Sequence, residues 1–366
     1  MIKVPFLDLE APYRELQSRI DEAVQRVLHS GRYIGGPEVE AFEAEWAEFC
    51  GSAHCVGVGS GLDALVLALR ACHIGPGDGV IVPSNTFIAT WLAVSAVGAF
   101  IQPVDPDPAT CNITPEGIAA AISPETRAIV PVHLYGHPTE IDRIVELAHE
   151  RGLKVIEDAA QGHGATCRSR RIGAHGDAVC WSFYPGKNLG AMGDAGAVTT
   201  NDSEIANLIR VLGNYGSRVR YVNEVQGVNS RLDPLQAAIL RVKLRYLDNW
   251  NARRQRVAAR YIEGLADTDL TLPEVPVWAD PVWHLFVIRH LQRDLLQKQL
   301  YETGIGTLIH YPIPPHRQEA YENAGFGRDS LPVASALADQ VLSLPMGPHL
   351  AQEQVEQVIA AVKRVI

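Results

Sequence analysis

From about residue 53 to residue 200 the chain alternates short β-branched or apolar runs with helical patterns, and this alternation narrows its fold more than any other feature. HCVGVG, SGLDALVLALRA, GVIVPS, TFIATWLAVSAVG and AFIQPV follow one another, and TRAIVPVHL, EIDRIVELAHERG and LKVIEDAA continue the series. Strands separated by helices must be joined by crossovers, so the order predicts a mostly parallel sheet covered by helices on both faces. Two more strand-like runs, in AVCWSFYPGK and AGAVTTND, are bounded by Gly or Asp turn signals.

Beyond Asp233-Pro234 a helical period persists for roughly thirty residues through LQAAILRVKLRYLDNWNARRQRVAARYIEGL, with Pro234 suited to a first helical turn. This stretch is expected to connect two domains. VWHLFVIRH reads as a strand, RDLLQKQLYETG as a helix closed by Gly304, and SALADQVLSLP and QEQVEQVIAAVKRVI as two more helices. The division expected is a large domain over residues 1–245 and a small α+β domain over 246–366.

Several classes of function are disfavoured by composition. A formal charge of -10 opposes a broad nucleic-acid surface, which needs clustered Lys and Arg. The opening MIKVPFLDLE has no basic head followed by an apolar run, and no apolar stretch approaches the roughly 18 residues of a membrane span. Six cysteines without C-x-x-C spacing suggest neither a disulfide framework nor a zinc site, and no other metal site is expected. A cytoplasmic protein fits these features.

Three segments carry chemistry. Gly57-Val58-Gly59-Ser60-Gly61-Leu62 leaves a strand and opens a helix, so free N–H groups and the helix dipole converge where a phosphate could sit. An ordinary tight βα turn would look the same. It is not a dinucleotide fingerprint, because Leu62 stands where the third glycine belongs and no strand ends in an acid about 20 residues on.

KVIEDAAQGHGA puts Asp158 at the end of a buried-looking strand, where ligands of open α/β sheets collect. It either caps the next turn or holds a heteroaromatic nitrogen protonated, since a carboxylate favours the cationic form of its partner. Gln161 is near enough to reach the same ligand, and His163 reads more readily as a structural histidine. In WSFYPGKNLGAMGDAGA, Lys187 lies between Gly186 and Gly190 just after a strand carrying Ser182. Most loop lysines are merely solvated. A desolvated one can lose its charge and form a Schiff base with an aldehyde.

The order GSGLDAL, PSNTFIATW, PVHLYGHP, EDAAQGHGA, SFYPGKNLGAMGDAGA, NYGS, GVNSRLDPLQAA, HYPIPPH and LSLPMGPHL closely resembles the DegT/DnrJ/EryC1/StrS sugar aminotransferases, from PFLDL at residue 5 to the last helix. The resemblance implies the aspartate-aminotransferase fold (pyridoxal-phosphate fold type I), with a large, mostly parallel sheet of the seven-stranded type and a smaller α+β C-terminal domain. It also implies a homodimer with active sites shared between subunits.

Carried over by position, Lys187 resembles the lysine that bonds covalently to pyridoxal 5'-phosphate, and Asp158 the acid on the pyridine nitrogen. Gln161 matches the amide beside the ring and Phe87 the aromatic on its face, although a lone Phe would otherwise read as core. Ser60, Gly61 and Ser182 fit the phosphate cup. Asn229, by spacing an unremarkable turn residue, resembles an asparagine that reaches the phosphate from the other subunit. Tyr184, Asn188, His310 and Tyr311 line up with positions near the sugar. Arg218, Arg220 and Arg231 are candidates for the nucleotide diphosphate, or else solvated surface charge.

Because the lysine is kept where dehydratases of the family carry histidine, the resemblance implies amination of a dTDP-linked keto-6-deoxyhexose, at C3 by the blocks SGRYIGGPEVEAFEAEW, WHLFVIRH, HYPIPPH and LSLPMGPHL. Glutamate is the expected donor and 2-oxoglutarate its product. Amination at C4, and a non-catalytic sensor built on the same fold, are the alternatives.

Overall fold

The computed structural model describes residues 2–327 and 329–366. Seven strands of these residues form the central sheet: β1 (His54–Val58), β2 (Gly79–Pro83), β3 (Phe100–Val104), β4 (Thr126–Ile129), β5 (Lys154–Asp158), β6 (Ala178–Ser182) and β7 (Gly196–Thr200). Their spatial order is β1-β7-β6-β5-β4-β2-β3. Neighbours from β6 through β5, β4 and β2 to β3 pair parallel, and β7 runs antiparallel to both β1 and β6.

Successive residues of a strand point to opposite faces, and here both faces are buried. Ile81, Val155 and Trp181 enter one core with Phe42 and Trp46 from the helix Pro37–Cys50. Val80, Val82, Ile156 and Cys180 enter the other, beneath the helices Gly61–Ala71 and Ala89–Ala96. This parity decides the site. Asp158 shares its face with Ile156 and meets the second helix layer, whereas Glu157 turns to the first and bonds His133 Nε2 at 2.9 Å and the Gly176 N–H at 2.7 Å.

The long helical period after Asp233-Pro234 is two helices, Pro234–Leu244 and Leu247–Leu265, interrupted at Arg245 and Tyr246. Neither Pro nor Gly marks the break, so the apolar period runs across it unbroken. SALADQVLSLP is not one helix. The helix Pro332–Gln340 gives way to β9 (Val341–Leu344), which pairs antiparallel with β8 (Phe286–Arg289). A four-residue stretch, Val-Leu-Ser-Leu, suits either state by period, and a strand partner decided it.

These two strands pack with the helices Leu247–Leu265, Arg293–Thr303 and Gln352–Val365 around a core of their own, which also takes in Val4 from the amino terminus. Gly304 closes the helix Arg293–Thr303 in the left-handed conformation. No helix among the described residues is long and apolar enough to cross a membrane.

Candidate active site

Ser60 ends the turn after β1 and caps the helix Gly61–Ala71, its hydroxyl accepting from the Asp63 N–H at 3.1 Å. The N–H groups of Gly61 and Leu62 then point from the helix start without an acceptor among the described residues. Ser182, at the end of β6, lies against Gly61: a Cβ at that glycine would stand 2.6 Å from Ser182 Cβ. Only glycine allows this approach. Ser60, Gly61 and Ser182 thus form one concave, donor-rich corner, which fits a phosphate dianion.

Asp158, at the end of β5, is buried. Thr90 donates to its Oδ2 at 2.9 Å and the Ala160 N–H to its Oδ1 at 3.1 Å, while Thr86 and Thr90 share a hydroxyl contact of 3.0 Å. Burial pushes the carboxyl above its ordinary pKa, against the pull of these two donors and of the Lys187 charge. A cation placed against it would restore the carboxylate.

Lys187 follows β6 in a tight turn from Pro185 to Gly190, where a Cβ at Gly190 would lie 2.4 Å from the Pro185 carbonyl oxygen. Lys243 fastens the turn by donating to the Gly190 carbonyl at 2.7 Å. No carboxylate among the described residues makes a salt bridge to Lys187, and desolvation lowers its pKa to about 8 against the opposing charge of Asp158. A useful fraction of this amine is neutral near physiological pH, as a nucleophile requires.

Gln161 is buried and bridges two residues. Its Oε1 accepts from the Tyr135 N–H at 2.6 Å and its Nε2 donates to the Tyr311 hydroxyl at 3.1 Å. Phe87 is half exposed, with its ring 5.4 Å from that of Tyr311. His310 touches Ser343 Oγ through Nδ1 at 2.8 Å and accepts at its carbonyl from the Tyr135 hydroxyl. Burial and the nearby Lys187 lower the His310 pKa to about 4. Tyr184 is exposed beside the lysine turn.

One expected sugar contact turns inward, and the expected nucleotide contacts lie on or beside an exposed segment. Asn188 is buried with its amide engaged by Asn251, Val282 and His284, so it has no donor left for a sugar. Arg220 lies on the exposed hairpin of residues 217–223 and its contact is the ring of Tyr221, 4.9 Å away, not the Lys187 turn of its own chain. Arg218 pairs there with Glu224 at 3.1 Å, and Arg231 faces the ring of Tyr215 at 5.8 Å. Asn229 is exposed at the end of this segment. The next residue, Ser230, donates to Asp63 Oδ2 at 2.7 Å and accepts from the Gly59 N–H at 2.9 Å.

His163 is a core residue, buried against Trp46, Trp181 and Phe183, with its pKa lowered to about 3 chiefly by burial. No local pattern in the sequence marks Thr90, Tyr135 or His284 as part of the site. Thr90 stands 68 residues from Asp158 along the chain, and no local spacing signals such a contact.

A buried acid, a desolvated amine, an aromatic face and a phosphate corner fit the pyridine nitrogen, aldehyde, ring and phosphate of pyridoxal phosphate. The sequence profile described as the DegT/DnrJ/EryC1/StrS aminotransferase family matches residues 14–363. The chain is 56% identical over 361 residues to the erythromycin biosynthesis sensory transduction protein EryC1 of Saccharopolyspora erythraea, covering 98% of this chain and 99% of that one. It is 54% identical over 362 residues to a dTDP-3-amino-3,4,6-trideoxy-alpha-D-glucose transaminase of Streptomyces venezuelae, covering 99% and 96%. The crystal structure of S. venezuelae DesV in complex with a ketimine intermediate is similar with a TM-score of 0.98 at 54% identity, covering 100% of this chain and 98% of that one.

Proposed function

The chain belongs to the DegT/DnrJ/EryC1/StrS aminotransferase family, and on that premise we propose that it moves an amino group from glutamate to the keto carbon of a dTDP-linked 3-keto-6-deoxyhexose, with pyridoxal phosphate as cofactor. The observation that carries the reading is the conjunction of Lys187, an amine with no salt bridge among the described residues and a pKa lowered to about 8, with a buried Asp158 oriented by Thr90 and Ala160. The dTDP-hexose and the position of the new amine rest on similarity to the Streptomyces venezuelae transaminase.

Pyridoxal phosphate supplies an aldehyde that captures amines and a ring that accepts electrons from an adjacent C–H bond. Lys187 would anchor the cofactor through its aldehyde carbon, and its amine would serve as the base that takes the donor's α-proton. Asp158 would hold a proton on the ring nitrogen by charge pairing, which would favour that proton removal. Gln161 and Phe87 would hold the ring, and Ser60, Gly61 and Ser182 the phosphate. Tyr184, His310 and Tyr311 line the sugar side.

The second subunit completes the site in this reading. Asn229 and Arg220 sit on an exposed segment whose Val219, Tyr221 and Val222 leave apolar surface uncovered, as a segment bound for a partner would. Arg220 and Arg231, with Arg218 if it leaves Glu224, then bring local positive charge to the nucleotide diphosphate of a substrate that the net charge of -10 does not attract.

Absorbance spectroscopy of the cofactor-loaded protein tests the proposal. Glutamate is expected to convert the aldehyde form of the cofactor to its amine form with release of 2-oxoglutarate, and a dTDP-3-keto-6-deoxyhexose to reverse the change and leave a 3-amino sugar. A spectrum that glutamate leaves untouched rejects the donor. Amination at C4 in the product rejects the substrate.

A further inference from the structure

Asn188, next in sequence to Lys187, sets the tautomer of a histidine that the reading above does not use. The chain of constraints begins at a backbone carbonyl: His163 O accepts from Asn251 Nδ2 at 2.8 Å, which turns Asn251 Oδ1 toward Asn188. Asn188 Nδ2 donates to that oxygen at 2.9 Å and to the Val282 carbonyl at 2.9 Å. Carbonyl oxygens only accept, so neither amide can be inverted without setting acceptor against acceptor.

Asn188 Oδ1 therefore faces His284 Nδ1, 3.3 Å away, as an acceptor. That contact requires the proton on Nδ1. A neutral imidazole carries one N–H, so Nε2 is left with its lone pair. His284 is partly exposed, and its Nε2 is neither hydrogen-bonded nor sealed from solvent among the described residues. Desolvation and the charges of Lys187, Arg254 and His310 hold its pKa well below the ordinary value, which keeps the ring neutral. Its contact with Asn188, the residue after Lys187, and the bond from the Leu285 N–H to the carbonyl of Tyr135, which itself bonds Gln161 and His310, put it beside the lysine turn.

We propose that His284 Nε2 is a specificity-determining acceptor that takes a hydrogen bond from a sugar hydroxyl next to the reacting carbonyl, an inference that rests on the sugar-aminotransferase reading. The chemistry of the two substrates selects this role. Apart from its reacting amine, glutamate brings only carboxylates, whose lone pairs a neutral acceptor repels. A keto-hexose brings hydroxyl protons. A site built to pair with a substrate hydroxyl discriminates strongly against a ligand that lacks one.

The test measures the two half-reactions separately on the cofactor-loaded enzyme, together with the ring tautomer. In His284→Phe, kcat/KM for the keto sugar is expected to fall roughly 10- to 100-fold, with the glutamate half-reaction several-fold less affected. His284→Gln, which can present an amide oxygen, should recover part of the loss. Equal losses in both half-reactions, or no loss in either, would overturn the proposal. Nitrogen-15 spectra of histidine-labelled holoenzyme should show His284 protonated on Nδ1 and bare on Nε2 across neutral pH, with that pattern lost in Asn188→Ala. The opposite tautomer also overturns it, whatever the substrate. Failure of the wild-type protein to aminate any keto sugar would instead reject the function on which the inference stands.

Discussion

Thr90 donates its hydroxyl proton to Asp158 Oδ2 at 2.9 Å, joining the start of the helix Ala89–Ala96 to the last residue of β5 inside the second core. The contact exists because β5 places Asp158 on the face that this helix covers. It settles which way a buried carboxylate points and favours its charged form.

Replacing Thr90 by Val removes that donor while keeping the shape. The Asp158 pKa is expected to rise further, so the carboxylate is lost at a higher pH as pH falls, and the acid limb of the kcat/KM profile should move upward. A loss of about 1–3 kcal/mol at a buried acceptor corresponds to roughly a 5- to 150-fold fall in rate. Thr90→Ser should restore the wild-type profile.

Lys187→Ala is expected to abolish turnover in a protein that still folds, because Lys187 belongs to none of the hydrophobic cores. Loss of proton transfer alone accounts for ~10²–10⁴-fold. Circular dichroism should be unchanged. A folded variant that aminates at the wild-type rate would remove Lys187 from the mechanism.

Reconstitution of the cofactor-free protein should depend on pH through the same amine. Only neutral Lys187 attacks the aldehyde, and its pKa is lowered from 10.5 to about 8. The loading rate, followed by absorbance, is therefore expected to climb as pH rises and to level off above about 8. A rate still climbing toward the ordinary lysine pKa would mean that the amine is not desolvated.

Gly61→Ala brings a methyl group to within 2.6 Å of Ser182 Cβ in the phosphate corner. Neither the helix start nor β6 can yield freely, so a destabilisation of about 1–3 kcal/mol is expected, with a larger proportional loss of cofactor affinity than of melting temperature. Titration with pyridoxal phosphate and thermal unfolding of the cofactor-free form separate the two effects.

Mixing two inactive variants tests the shared site. If Asn229 serves the neighbouring subunit, a hybrid of Lys187→Ala and Asn229→Ala chains holds one site with both native residues. Activity should reappear after subunit exchange. No recovery in a mixture shown to contain hybrid dimers would place Asn229 with the lysine of its own chain.

Much of the site was legible in sequence because backbone requirements announce themselves locally. Gly61 opens a helix, Asp158 ends a strand and Lys187 sits in a glycine-bounded turn; each needs only its neighbours to be noticed. The alternation of strands and helices likewise determined the doubly covered sheet, since both faces of its strands are apolar.

Other features had no local trace. The antiparallel direction of β7, the strand Val341–Leu344 and the break at Arg245–Tyr246 depend on partners distant in sequence. Side-chain orientation was decided in the same way: Asn188 faces inward because Val282 and Asn251 supply acceptors there, 94 and 63 residues away. Sequence alone determined the layered fold and the chemistry offered at the strand ends, which are properties of short segments. The tertiary structure alone decided which hydrogen-bond partners each group meets, because a buried polar group takes whatever acceptor or donor packing brings to it.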